Sequence, residues 1–210
     1  MKNTVFIPEQ RTPHFYLPSH LITCKQDLSH LKERFSKEDL KTFLSLYSKA
    51  QSNPKKTLKE VKNFQTLHPD HPEVLNLLTY LLVSRKKIRQ GNHLIERNFQ
   101  KNPDYLLARI NYADLCLRRK KAQKIPELFN NKLNLKEFCP QRKSFHISEF
   151  RGFTTMMGHY YLQSGEGEAA ECCLYLAHKI APHHPSTKLL EKKLYYTPFY
   201  KRLFSKLLKR

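Results

Sequence analysis

The chain has 210 residues, of which 40% are apolar, enough for the core of one domain or one short repeat array and too many for a disordered charged tail. Its 38 lysines and arginines against 18 aspartates and glutamates give a formal net charge of +20, which attracts nucleic acid, anionic lipid or acidic protein. Five cysteines, an odd number without a CxxC pair, disfavour a disulfide framework or a thiolate zinc site and favour a reducing cytosol.

The first ten residues, MKNTVFIPEQ, contain one lysine and no apolar run, so a cleavable signal is not expected. No segment reaches the roughly 18 apolar residues that a membrane-spanning helix needs. We therefore expect a cytoplasmic protein, and any contact with a membrane would be peripheral.

Residues 1–25 are predicted to form an extended arm without regular structure. Three prolines, at positions 8, 13 and 18, each remove a backbone donor and favour an extended conformation in the preceding residue. The arm also carries apolar side chains, which indicate that it docks on another surface. They are Phe6, Phe15, Tyr16 and Leu17.

Residues 26–196 are predicted to be helical and repetitive. Only five glycines are present, and the apolar residues recur with the period of a helix, without alternating strand patterns between them. The segments LHPDHP, KNPDY and IAPHHP each close a helical stretch, and Pro69 and Pro103 lie 34 residues apart. A repeat of this length predicts helical units that stack and together bury faces that one unit could not bury alone.

The clearest unit is MMGHYYLQSGEGEAAECCLYLAHKIAP, near residues 151–182. Large, small and aromatic residues recur there at fixed spacing before a closing proline. They are Met157, Gly158, Tyr161, Ala170, Leu174, Ala177 and Pro182. This unit resembles the tetratricopeptide repeat (TPR) family, whose two-helix unit uses these residue classes at these positions.

The resemblance implies an all-α fold, a right-handed solenoid of three to four helical hairpins with a C-terminal capping helix after Pro185. In the third unit the closing proline is replaced by an irregular stretch, LKEFCPQRKSFHIS. The repeat count is therefore open between residues 104 and 150.

The resemblance also implies a concave groove, lined by the first helix of each unit, that holds a peptide or protein partner. We call the outward residues of these helices the groove set. They are Lys41, Asn76, Tyr80, Ile110, Asp114, Arg118, Thr155 and His159. The groove could equally hold the chain's own arm.

Two basic runs, 33 residues apart, occupy the turns between paired helices, and stacking predicts that they form one basic edge. The edge consists of Lys55, Lys56, Arg85, Lys86, Lys87, Arg89, Arg118, Arg119, Lys120 and Lys121. Its sign reverses in the last unit, at Ser164-Gly165-Glu166. The edge is either an anion-binding surface or an ordinary solvated face.

Residues 197–210 are predicted to form a basic amphipathic helix, the tail. One face is apolar, with Phe199, Leu203, Phe204 and Leu207, and the other is basic, with Lys201, Arg202 and Lys206. This pattern fits packing on the chain's own body, lying on a membrane surface, or binding in a partner's groove.

Histidines at HPDHP, residues 68–72, and at positions 183–184 lie on turns between units and lack helical i, i+4 partners, so no metal site is expected. No GxSxG, HExxH or phosphate-binding glycine loop is present. Accordingly we expect no catalytic residues, no cofactor and no small-molecule substrate.

Two functions follow as hypotheses. The first is a non-enzymatic scaffold, adaptor or chaperone-like module that binds a protein partner in the concave groove. The second is a peripheral binder of anionic surfaces, either membrane lipid or nucleic acid, through the basic edge and the tail.

Overall fold

The computed structural model describes residues 4–25 and 29–196. The tail, with all the side chains assigned to it above, lies outside the described residues. Helices account for 67% of the described residues, which agrees with the predicted helical class. Short strands, which the all-α expectation did not include, occur near the N-terminus and before residue 147.

The elements follow one another from four strands to a series of helices. The strands are β1 (Thr4–Ile7), β2 (Gln10–Thr12), β3 (Phe15–Leu17), β4 (His20–Thr23) and, later, β5 (Phe145–His146). The first helices are α1 (Ser29–Arg34), α2 (Lys37–Ser52), α3 (Pro54–Leu67), α4 (Pro72–Ser84), α5 (Ile88–Lys101) and α6 (Leu106–Arg118). After a 3-10 turn at Ala122–Lys124 come α7 (Ile125–Leu128), α8 (Leu135–Phe138), α9 (Ile147–Gln163), α10 (Gly167–Ile180) and α11 (Pro185–Tyr195).

Proline and histidine start several of the helices. Proline occupies the first turn of α3, α4 and α11, where its missing N–H removes no helical hydrogen bond. The ring nitrogens of His71, His146 and His184 accept hydrogen bonds from the backbone N–H of the second helical residue. These histidines therefore act as N-caps, and for His71 and His184 this agrees with their predicted place on the turns.

Adjacent helices pack in antiparallel pairs, namely α2 with α3, α4 with α5, and α9 with α10. At one end of the α4–α5 pair, Asn98 donates from Nδ2 to the carbonyl of Pro72 at 3.1 Å. At the other end, Gly91 lets α5 approach so closely that an added Cβ would lie 2.8 Å from Cγ2 of Val83. The first helices of successive pairs also contact each other, from α2 to α4, α6 and α9.

The third pair lacks a second long helix. After α6 the chain forms only the 3-10 turn, α7 and α8 before β5, and this is the irregular stretch that the sequence predicts. The first helix of the pair, α6, packs against α9 instead.

The N-terminal arm covers the apolar faces of α9 and α10.

The expectation that the arm has no regular structure is wrong for Thr4–Thr23. Strand β1 pairs antiparallel with β4, β4 pairs in parallel with β5, and β2 and β3 form a separate hairpin. The three prolines lie in the connections after β1, β2 and β3, so none of them interrupts a ladder. The prediction that the arm docks is confirmed, because Ile7, Leu17 and Ile22 are buried in the core that α9 and α10 share.

The arm's aromatic side chains divide between the core and the surface. Phe15 is partly buried and meets the ring of Tyr161 on α9 edge-on, with the centroids 6.3 Å apart. Phe6 and Tyr16 are exposed. Because side chains alternate across a strand, the arm presents one apolar face to the helices and a second, partly apolar face to solvent.

The buried residues form two separate clusters. One lies between α1 and α5 and is centred on Phe43, Leu75 and Leu81. The other joins the arm to α6, α9 and α10 around Phe129 and Phe150. The chain's first described residues therefore belong to the same core as its last helices.

The predicted capping helix, α11, packs on α9 and α10. Its Leu190 is fully buried and fills the space above Gly158, where an added Cβ would lie 2.5 Å from Leu190 Cδ2. Glycine at position 158 therefore allows the last helix to lie against the stack.

Candidate partner groove and basic edge

The structure leaves part of the groove set accessible. Lys41 on α2, Tyr80 on α4 and Arg118 on α6 are exposed, while Asn76 and Asp114 are half-buried. Tyr80 has 51% of its surface exposed, which is high for an aromatic side chain in a helix that is otherwise mostly buried. These residues belong to three successive first helices, as the sequence predicts.

Three members of the groove set are buried, so the expectation that they face outward is wrong for Ile110, Thr155 and His159. The reason is that α6 and α9 pack directly on each other, and Cγ2 of Ile110 lies 3.4 Å from the position of a Cβ added at Gly152. Thr155 donates its hydroxyl to the carbonyl of Arg151 at 2.9 Å. The accessible part of the groove is therefore its wall of α2, α4 and α6.

His159 is held neutral in the interior. Its pKa is lowered to about 4, mainly by burial and also by the ammonium of Lys193, while the carboxylate of Asp114 partly opposes both effects. Its Nδ1 has no hydrogen-bond partner among the described residues. A proton on this ring would place a poorly compensated charge between α6, α9 and α11.

The accessible wall is polar and is held in place by hydrogen bonds across helices. Asn111 donates from Nδ2 to Oδ1 of Asn76 at 2.9 Å, which links α6 to α4. Arg118 donates from Nε to Asp114 at 2.9 Å and from Nη1 to Asn92 at 3.0 Å. These bonds fix side chains that would otherwise lose rotamer freedom when a partner binds.

The groove set predicted from the sequence omits two residues of this region, Tyr47 on α2 and Arg151 on α9. Burial raises the pKa of Tyr47, and the nearby Glu73 carboxylate adds to the rise, whereas the guanidinium of Arg151 opposes it. Burial lowers the pKa of Arg151. Arg151 lies one helical turn before Thr155, so the groove-set spacing could have identified it.

The basic edge is built from two turns with the same backbone. In the first, the N–H of Lys87 donates to the carbonyl of Leu82 at 2.9 Å, and Lys86 has φ of 59°. In the second, the N–H of Lys121 donates to Cys116 at 2.9 Å, and Lys120 has φ of 60°. Both are helix ends closed by a left-handed residue, a position that usually carries glycine.

The turn between α9 and α10 shows the usual solution. The N–H of Glu166 donates to the carbonyl of Tyr161 at 2.8 Å, and the left-handed residue is Gly165, with φ of 82°. Lysine at the equivalent positions 86 and 120 therefore carries backbone strain that this glycine avoids.

Side-chain contacts confirm that the two basic turns are neighbours. Arg118 reaches Asn92 at the start of α5, and Arg119 forms an ion pair with Glu96 one turn later. Acidic partners thus neutralise these two arginines. No ion pair involves the remaining cations of the two turns within residues 4–25 and 29–196; they are Arg85, Lys86, Lys87, Arg89, Lys120 and Lys121.

Lys55 and Lys56 are exposed in the first turn of α3. Since α3 starts where α2 ends, and α4 runs back along α3, the first turn of α3 lies at the same end of the stack as the turn after α4. The two lysines extend the basic edge toward the N-terminal unit, as predicted.

An open cleft of about 570 Å³ lies at the other end of the edge. It is lined by Leu117, Arg118, Lys120, Ala122, Gln163 and Lys193. Gln163 donates from Nε2 to the carbonyl of Leu117 at 3.1 Å, which ties the end of α9 to the end of α6. Through Lys193 the basic surface continues to the end of α11.

The described residues contain no group of three or more histidine, cysteine or acidic side chains placed to hold a metal ion. Burial raises the pKa of the Cys116, Cys139, Cys172 and Cys173 thiols, which disfavours the reactive thiolate form. Within the described ranges, no helix is long and apolar enough to cross a membrane.

Comparison with known proteins gave no match to a protein-family model, to a curated protein sequence or to a solved structure.

Proposed function

We propose that the protein is a non-enzymatic, TPR-like scaffold of the cytoplasm that binds a peptide segment of a protein partner on its concave wall. The observation that carries the proposal is the exposure of Tyr80 between two hydrogen-bonded polar pairs, Asn76 with Asn111 and Asp114 with Arg118. A tyrosine offers a large contact area at a low cost in side-chain entropy, and it is among the commonest residues at the centre of protein interfaces.

The wall supports recognition of a short segment. Helices pack about 8–10 Å apart, so the first helices of three successive units span about 20 Å. An extended chain rises about 3.3 Å per residue, and roughly six residues of a partner therefore fit across α2, α4 and α6. The burial of Ile110, Thr155 and His159 ends this surface at α6.

The chemistry of the wall favours a partner with both apolar and polar side chains. Tyr80 supplies the apolar contact, while the amides of Asn76 and Asn111 can each still both accept and donate hydrogen bonds. Because their mutual hydrogen bond already orients both amides, a partner would lose little affinity to ordering them.

The test is affinity capture of the tagged full-length chain from its native cells, followed by identification of the retained proteins. We expect Tyr80→Ala to reduce recovery of a specific partner at least about tenfold, as loss of a central interface tyrosine does. The matched control is Tyr175→Ala, since Tyr175 is similarly exposed but lies on α10. Equal recovery with the two variants would contradict the groove proposal.

Ile110→Arg is unsuitable for this test. The side chain is buried against α9, and an arginine there would disrupt the core before it could report on binding.

A further inference from the structure

We propose that the basic edge docks on an anionic phospholipid surface, with Ile88 and Val83 entering the interface between the lipid head groups. Apart from Arg118, which belongs to both, this surface consists of other residues than the concave wall, so the inference does not depend on the proposed scaffold function. It concerns the turns after α4 and α6, the first turn of α3 and the end of α11.

The edge is a single surface because of the antiparallel order of the helices. Turns between paired helices all lie at one end of the stack, and turns between units lie at the other. At the opposite end, Asp70 accepts from Nε of Arg97 at 2.9 Å, so that arginine is neutralised. At the basic edge the cations follow one another in the sequence on two neighbouring turns, and they add up to a strongly positive field there.

The cations of the edge are positioned for an outside ligand. Of the eight cations on the two turns, six have no ion pair within the described residues, whereas Arg118 and Arg119 are held by Asp114 and Glu96. Each lysine or arginine near an anionic bilayer adds about 1 kcal/mol to binding. Six such cations are enough for peripheral attachment without a spanning helix.

The backbone strain at Lys86 and Lys120 also supports a functional role for the basic edge. A cation near a helix C-terminus is favoured by the helix dipole, and that effect accounts for the positive sign of the turns. It does not account for lysine at the left-handed position itself, where glycine would avoid the strain, as Gly165 does. Backbone strain of this kind is concentrated at functional sites.

Exposed aliphatic side chains distinguish lipid from nucleic acid. Val83 and Ile88 flank the Arg85–Lys87 turn, with 42% and 44% of their surface exposed. Tyr195 and Tyr196, also exposed, end α11 beside the cleft. Aliphatic groups among cations suit the boundary between lipid head groups and acyl chains, and tyrosine is enriched at that depth of a bilayer. Phosphate contacts to a nucleic acid would leave the aliphatic side chains without a contact.

The experiment is co-sedimentation of the full chain with phosphatidylcholine vesicles that contain phosphatidylserine, and with vesicles of phosphatidylcholine alone. We expect binding only to the anionic vesicles, weakened by salt. The double variant Lys86→Glu with Lys120→Glu keeps the backbone strain unchanged and should weaken partitioning at least roughly 30-fold.

The matched charge control is Lys101→Glu with Lys188→Glu, because both lysines are exposed at the opposite end of the stack. It should change partitioning much less than the edge variant. Equal losses in the two double variants would overturn the proposal, since they would mean that net charge and not this edge drives binding. Vesicle binding that is unaffected by the edge variant would overturn it as well, in favour of the tail.

The aliphatic contact is tested with Ile88→Ser against Leu67→Ser, whose exposed leucine ends α3 at the far end of the stack. We expect about a threefold to tenfold loss for Ile88→Ser alone. The same proteins are then titrated with a single-stranded RNA oligonucleotide. RNA binding that is tighter than vesicle binding and indifferent to Ile88→Ser would replace the lipid proposal with nucleic-acid binding.

Discussion

Lys86 and Lys120 adopt a left-handed backbone conformation that costs a residue with a Cβ about 1 kcal/mol relative to glycine. We expect Lys86→Gly and Lys120→Gly each to raise the free energy of unfolding by roughly 0.5–1 kcal/mol, part of the relief being offset by the greater freedom of glycine in the unfolded chain. Urea denaturation measures the change.

The control for these two variants is Lys59→Gly, at an exposed position inside α3. There the same substitution should lower the free energy of unfolding by about 1 kcal/mol. A loss of stability at positions 86 and 120 as well would show that the left-handed turns are not strained.

The lowered pKa of His159 makes the free energy of unfolding depend on pH. Its folded-state pKa of about 4 lies below the ordinary value of 6.5, so the unfolded chain binds the proton more tightly. The stabilisation is complete above about pH 6.5 and is lost as the pH falls toward 4, by roughly 2–3 kcal/mol. His159→Gln should remove that part of the loss.

Urea denaturation at pH 7 and near pH 4.5 gives the loss of unfolding free energy on acidification. The prediction is tested by comparing that loss in the original chain with the loss in His159→Gln. His93→Gln is the control, because His93 is exposed on α5. The assignment would be wrong if His159→Gln left the pH dependence as steep as His93→Gln does. His20, whose pKa is also lowered mainly by burial, contributes acid sensitivity from the arm.

Among the elements, β4 shows how the arm is attached. Ile22 is 1% exposed and joins the core beside Phe145 of β5, whereas its neighbour Leu21 is 41% exposed on the other face. We expect Ile22→Ala to destabilise the fold by about 2–4 kcal/mol, and Leu21→Ala to change stability by less than about 0.5 kcal/mol. Thermal denaturation measures the loss of stability in both variants. Similar losses for Ile22→Ala and Leu21→Ala would mean that the arm is only loosely attached.

The long helices could be predicted from the sequence because their signals are local. The closing segments at Pro69, Pro103 and Pro182 each precede the start of a new helix, and α9 and α10 follow the small and large residues of the best-matched unit. Apolar spacing and proline act within a few residues, so a single sequence shows them directly.

The strands of the arm could not be predicted from local sequence patterns. Strand β4 pairs with one strand on each side, and no local pattern indicates either pairing. One neighbour is β1, across three prolines, and the other is β5, more than 120 residues later along the chain. Strand pairing depends on which surface the arm meets, and that surface forms only where the third pair lacks its second helix.

The groove was predicted in part for a similar reason. Helical spacing places Tyr80, Asp114 and Thr155 on corresponding faces of their helices, but it does not state how closely neighbouring units pack. The direct contact of α6 with α9 buries Thr155 and leaves Tyr80 exposed. The depth of a groove is a property of the stack and not of one helix.

At the scale of the whole molecule, the two apolar clusters predict two cooperative blocks. The stacked rings of Phe99 and Tyr112, with centroids 4.4 Å apart, bridge α5 and α6 between them. In hydrogen exchange followed by mass spectrometry, residues 4–23 should exchange at the same free energy as α9 and α10. Exchange of the arm in step with α2 and α3 would contradict this division.

The pairing of β4 with β5 also has a consequence for the order of synthesis. The arm leaves the ribosome before the helices, yet the surface that covers Ile7, Leu17 and Ile22 is complete only after α10 has been made. At 5–20 residues per second, the arm waits about 10–30 s with its apolar face uncovered, while α1 to α5 can already close their own core. Among the described segments, the first to be translated is thus one of the last to reach its place.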